Sequence, residues 1–181
     1  MAHSGIVIWE YNANWGVEFE SIKGVIKNRL GDSIIAIEHV GSTAVPGLGA
    51  KPILDIDIVI EGYEIFPKVV FALERLGYFH QKEWSFEGRE AFGRKDESVP
   101  WTREGSSWMQ HHLYVCDEQS SELAKHIAFR NYLRGNPQAA YEYEKLKRNL
   151  AKIESQRPSY TSGKTEFIQS ILGKIMEKEG D

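Results

Sequence analysis

The segment Ile53-Leu54-Asp55-Ile56-Asp57-Ile58-Val59-Ile60 constrains the fold of this chain more than any other. Its aliphatic, β-branched content marks a strand. Strand side chains alternate, so Leu54, Ile56, Ile58 and Ile60 share one face while Asp55 and Asp57 share the other. The apolar face demands a core. The two carboxylates, about 7 Å apart along the strand, repel each other, and burying them without a partner is costly, so something cationic belongs beside them. One answer is a pair of structural ion partners, Lys51 and a nearby arginine, or a solvated sheet face. The other is a divalent cation such as Mg2+ or Mn2+, because hard cations favour oxygen ligands and paired carboxylates on a rigid strand suit phosphoryl or nucleotidyl transfer.

Upstream lies the turn-rich run Gly41-Ser42-Thr43-Ala44-Val45-Pro46-Gly47-Leu48-Gly49, preceded by a β-rich segment from Ile34 to Val40. Gly41 and Ser42 can present backbone N–H groups and a hydroxyl to a phosphate at the start of a short helical turn. Ser42 or Thr43 acting only as a cap is the structural alternative.

Around these strands the spacing predicts helices and further strands. Trp15, Phe19, Ile22 and Ile26 form the stripe of an amphipathic helix ending near Gly31. Phe66, Val69, Val70, Leu73 and Leu76 mark another, closed by Gly77, and Tyr78 to Trp84 and Glu90 to Lys95 read as shorter strands. In Trp108 to Cys116, Met109, Leu113 and Val115 oppose His112 and Tyr114, which places the latter pair toward a polar site. From Ser120 onward the pattern is helical: one helix to Arg134, one with Asn136 as N-cap and Pro137 first, and one carrying Phe167, Ile171 and Ile175. The middle helix shows Ala139, Tyr143, Leu146, Leu150 and Ile153 on one stripe. The expected class is α+β, a mixed sheet with flanking helices and a C-terminal helical layer. We read one domain over residues 1–181, its sheet core about 34–116 and its C-terminal helices about 120–178.

Charge and composition narrow the partners. A net charge of −4 works against collecting a polyanion, so there is no strong case for nucleic acid. The one cysteine, Cys116, excludes an intrachain disulfide and points to a reducing cytosol. No apolar run approaches the roughly 20 residues needed to span a bilayer, and Met1 to Tyr11 does not read as an export signal. Against this acidic background, residues 125–152 hold seven lysines and arginines and only two glutamates. Helix faces are often charged for solubility alone, so each of these residues also has a solvated reading. His3 and His126 read as incidental. Trp84, Trp101 and Trp108 read as core aromatics or as the frame of a stacking pocket.

The string Glu38-His39-Val40-Gly41-Ser42-Thr43-Ala44-Val45-Pro46-Gly47-Leu48, followed by Ala50-Lys51-Pro52-Ile53-Leu54-Asp55-Ile56, resembles the signature of the GrpB-like family. The resemblance continues through His112-Leu113, residues 129–134, residues 143–147 and residues 160–168, nearly the whole chain. It implies the nucleotidyltransferase superfamily related to DNA polymerase beta, whose pattern is a Gly-Ser turn, an Asp-x-Asp strand and a third acid on a later strand. By that resemblance Asp55 and Asp57 hold metal, and Arg130, Lys147 and Lys164 match family positions suited to binding phosphate. One departure stands out: where the third acid would be sought this chain has His112 and Tyr114, so His112 is a candidate ligand or proton acceptor. A hydrogen-bonded histidine on a polar sheet face is the plainer alternative.

The expectation is therefore a metal-dependent, nucleotidyltransferase-like protein acting on a nucleoside triphosphate and a small-molecule acceptor. Its catalytic candidates are Asp55, Asp57 and His112. Its phosphate-binding candidates are Gly41, Ser42, Lys51, Arg130, Lys147 and Lys164. A non-catalytic nucleotide-binding or regulatory module, and a protein-interaction scaffold, are the competing classes. The oligomeric state is open.

Overall fold

The computed structural model describes residues 5–153 and 157–179. Helix α1 (Asn14–Leu30) runs into β1 (Ala36–Val40), and a single 3-10 turn (Ser42–Ala44) leads toward β2 (Leu54–Ile60). Helix α2 (Phe66–Glu74), β3 (Tyr78–His80), β4 (Glu90–Arg94) and β5 (His111–Asp117) complete the sheet portion. Helices α3 (Ser121–Gly135), α4 (Pro137–Ile153), α5 (Arg157–Gly163) and α6 (Thr165–Glu179) follow. The α+β class and the helical last third thus match the sequence reading.

The strands lie in the order β1-β2-β5-β4-β3. β2 pairs antiparallel with β1 and parallel with β5, and β4 pairs antiparallel with β5 and β3. β2 is therefore internal, which is why it tolerates an almost unbroken apolar run. Its Leu54, Ile56, Ile58 and Ile60 are fully buried against Trp15, Phe19, Ile22 and Ile26 of α1 and Val69 and Leu73 of α2. Each such side chain contributes roughly 1.5–3 kcal/mol, so this face holds α1, α2 and the sheet together.

The opposite face carries the C-terminal helices. Val59 and Cys116 pack with Leu123 of α3. A separate cluster joins Val45 and Leu48 of the glycine-rich connection to Leu133 of α3 and Tyr143 of α4. Ser120 caps α3, its hydroxyl accepting from Leu123 N at 3.2 Å.

Three expectations change. The strand expected over Tyr78–Trp84 stops at His80, and Lys82–Trp84 form a 3-10 turn. Ser85 drives this, since its hydroxyl donates to Gln81 O and accepts from Ala91 N, folding the chain back on itself. Ile153, the last residue of α4, is 77% exposed and leaves the buried stripe. Trp84 and Trp101 are exposed and line neither core nor cleft, whereas Trp108 packs on the main core and donates to Pro100 O. Among the described residues no helix is long and apolar enough to cross a membrane.

Candidate active site

Asp55 and Asp57 project from β2 toward the C-terminal helices. The parallel register sets Asp55 beside His112 and Asp57 beside Tyr114, while the antiparallel register with β1 sets Asp57 beside Glu38. Neighbours directly across a sheet share a face, so Asp55, Asp57, Glu38 and His112 lie on the same side of the sheet.

Each acid has its own partner. Asp55 Oδ1 lies 3.0 Å from His112 Nδ1, with both side chains partly exposed. Asp57 is fully buried, and its Oδ2 accepts from His126 Nδ1 at 2.6 Å. Burial works against a charged His126, but the hydrogen bond and the negative charge of Asp57 outweigh it and hold the imidazole pKa above its ordinary value. Glu38 is paired with Arg130, whose Nη1 donates to Glu38 Oε2 at 2.7 Å and to His39 O at 2.9 Å. The other oxygen of Asp57, Oδ1, is buried with no hydrogen-bond partner among the described residues.

Gly41 is what lets the connection approach Asp55. Its φ of 73° and ψ of −172° fall in a region open essentially only to glycine. A Cβ there would run into Asp55 Oδ2 and come 3.2 Å from Asp55 Cβ. Ser42 follows at the start of the 3-10 turn and lines two adjoining cavities.

Two cavities, of about 220 and 370 Å³, meet along Ser42, Asp55, Tyr114, Thr161 and Lys164, making one cleft between the sheet and the C-terminal helices. At one end Lys51, Lys147 and Lys164 gather near Tyr160, with the Lys51 and Lys164 ammoniums 3.9 and 4.7 Å from its ring centroid. Lys147 is 2% exposed and donates to Gly49 O, while Glu144 accepts from Gly49 N at 2.8 Å. Burial above all, then the charge of Lys164, lowers the Lys147 pKa to about 7. An anion at this end of the cleft would relieve that crowding of like charge.

The structure thus brings together Gly41, Ser42, Asp55, His112, Lys51, Lys147 and Lys164, whereas Asp57 is buried beside Tyr114 on the same strand face and lines neither cavity. Arg130 is set apart: it lines neither cavity and serves as the internal counter-charge of Glu38. His126, read as incidental from sequence, is the partner of Asp57; His3 lies outside the described residues. The signal for His126 was helical spacing, since it falls on the same face of α3 as Leu123, Ile127 and Arg130. Glu38, the first residue of the quoted motif, was missed as a site acid because a third acid was sought only on a later strand.

Among the described residues no three His, Cys, Asp or Glu side chains form a ready metal cage. Magnesium seldom needs one, because it commonly takes one or two carboxylates and completes its shell with water and substrate phosphates. An orphaned, buried Asp57 oxygen and an Asp55 carboxylate under a glycine fit that donor set.

Comparison with known proteins identifies the family and the fold. The GrpB protein family model matches residues 5–174. The chain is 33% identical over 174 residues to the glutamate-rich protein GrpB of Alkalihalophilus pseudofirmus, covering 94% of this chain and 95% of that one. It is 32% identical to the UPF0157 protein YqkA of Bacillus subtilis over 88% of this chain, but spans only 44% of that longer protein. The crystal structure of conserved protein GrpB from Enterococcus faecalis superposes with a TM-score of 0.78 at 31% identity, covering 97% of this chain and all of that one. Cid1 in complex with its short product ApU superposes with a TM-score of 0.51 at 11% identity over 80% of this chain and 43% of Cid1, a likeness of fold alone.

Proposed function

This chain belongs to the GrpB family, and we propose that it is a divalent-metal-dependent nucleotidyltransferase-like enzyme that transfers a nucleotidyl group to a small-molecule acceptor. The observation that carries the reading is the pair Asp55 and Asp57 on one strand face, opposite the Gly41-Ser42 turn and beside the Lys51, Lys147 and Lys164 cluster. The fold it shares with Cid1 is compatible with this chemistry without establishing it.

In this reading Asp55 and Asp57 would hold Mg2+ or Mn2+. The ion would neutralise phosphate charge and favour ionisation of the attacking oxygen. Lys51 and Lys164 offset the charge of the triphosphate, and Gly41 and Ser42 let phosphate oxygens approach the backbone. Lys147 holds Gly49 in place and adds positive charge to the same end. An acceptor hydroxyl oxygen forms a bond to the α-phosphorus, the bond from that phosphorus to its bridging oxygen breaks, and pyrophosphate leaves. The hydroxyl proton passes to His112, oriented by Asp55.

A second reading, a nucleotide-binding module without turnover, is favoured by one observation: both aspartates already hold a histidine. Calorimetric titration with nucleoside triphosphates, with and without Mg2+, separates the two when combined with a pyrophosphate-release assay. The enzyme reading expects metal-dependent binding and release, both lost in Asp55→Asn and Asp57→Asn. Metal-dependent binding without release favours the module, and no nucleotide binding under any condition removes both.

A further inference from the structure

The larger cavity contains a cation that the phosphate cluster does not use. Arg89 ends a tight hairpin in which Phe86 N donates to Arg89 O at 3.0 Å and Arg89 N to Phe86 O at 2.9 Å. Gly88, at φ +84°, makes the reversal possible. The Ser120 hydroxyl donates to Gly88 O at 2.6 Å, so the cap of α3 ties this hairpin to the helix that carries His126. Arg89 is thereby held over the cleft, its guanidinium carbon 4.4 and 4.3 Å from the ring centroids of Phe86 and Tyr114.

Such a group ordinarily meets a carboxylate when it is partly buried. Within this cavity Lys125 is met by Glu122 at 2.9 Å and His126 by Asp57. Arg89 makes no ion pair among the described residues, and its Nε is buried without a hydrogen-bond acceptor. A planar fork of donors, stacked on aromatic rings and lacking an acceptor, is suited to bidentate capture of an oxyanion. The wall beyond it is apolar, from Phe129, Ile168 and Leu172.

We propose that Arg89 anchors an oxyanion, a carboxylate or a phosphate monoester, on the small-molecule acceptor, whose apolar body lies against Phe129, Ile168 and Leu172. The term acceptor rests on the nucleotidyl-transfer reading; the oxyanion site itself does not. The lysine end of the cleft then takes the triphosphate and the Arg89 end the acceptor, with Asp55 and Tyr114 lining both halves.

The test is calorimetry of the full chain with phenyl phosphate, with benzoate and with neutral benzyl alcohol. At least one of the two anions is expected to bind more tightly than the alcohol, which separates phosphate from carboxylate recognition. Arg89→Gln should weaken that binding about tenfold or more, while Arg89→Lys, keeping charge but losing the fork, should weaken it less. Should Arg89→Gln fold poorly, the wild-type Nε–H resonance of Arg89 must shift on adding the bound anion. Equal affinity in wild type and Arg89→Gln, no anion binding, or an unmoved Nε–H would overturn the proposal. Displacement of the anion by a Mg2+-nucleotide would overturn the acceptor assignment, and simultaneous binding supports it. Failure of nucleotide binding with Arg89-dependent anion binding intact would count against the transfer reading and leave the oxyanion site standing.

Discussion

Replacing Gly41 by alanine tests whether the site depends on the backbone coming up against Asp55. Two costs add. The φ, ψ pair of 73° and −172° belongs to the glycine-only region, a penalty on the order of 1–3 kcal/mol for any other residue. The new methyl also collides with Asp55 Oδ2 and crowds Asp55 Cβ at 3.2 Å, so Asp55 must turn away from His112, giving up a 3.0 Å contact. Together these come to about 3 kcal/mol, a fall in Tm of about 6–12 °C for a chain of this size. Urea unfolding measures the loss, and the His112 imidazole resonances report the contact. Gly24→Ala is the internal control: Gly24 is an exposed interior position of α1 with open space around it, so alanine there should stabilise by about 0.4–1 kcal/mol. A Gly41→Ala stability within about 0.5 kcal/mol of wild type, with His112 unmoved, would refute the reasoning.

Other outcomes follow from the buried groups. Lys147 is lowered to about 7 by burial, so between that pH and its ordinary 10.5 the unfolded chain binds more protons and stability rises with pH. Wild type should gain about 2 kcal/mol from this group between pH 7 and 9, and denaturant titrations of Lys147→Met should lack that gain. Burial lowers His39 and His111 to about 4 from 6.5, so stability should fall as pH drops through that window. Each contributes a loss of about 2 kcal/mol by pH 5, and His39→Gln should show a shallower acid limb. His126→Ala leaves Asp57 buried without its partner and should cost about 3–5 kcal/mol; saturating Mg2+ should recover part of the loss in thermal melts if the carboxylate takes the ion.

Much of the fold was legible because it is written in local periodicity. The spacing of Trp15, Phe19, Ile22 and Ile26 defines α1, and the two-residue alternation in β2 places Asp55 and Asp57 together. Helix α5 was not legible: Arg157-Pro158-Ser159-Tyr160-Thr161-Ser162-Gly163 is poor in helix formers, and Tyr160, 1% exposed, is held by packing instead. What sequence withheld about the site is the choice of partners across elements. Whether Arg130 meets a phosphate or Glu38 depends on the β1–β2 register and on the rotation of α3 about its axis. The same rotation brings His126 under Asp57. The position of Arg89 depends on a hairpin in the connection between the two expected strands, and on Ser120, 31 residues further on.

The central claim is that Asp55 and Asp57 jointly hold a divalent cation carried in with nucleotide phosphates. Electron paramagnetic resonance of Mn2+ added with a nucleoside triphosphate tests it most directly, since protein-bound ion is distinguished from ion on free nucleotide. Wild type should give a bound signal that disappears in Asp55→Asn and in Asp57→Asn while both variants remain folded. An unchanged signal in those variants, or none in wild type, would contradict it.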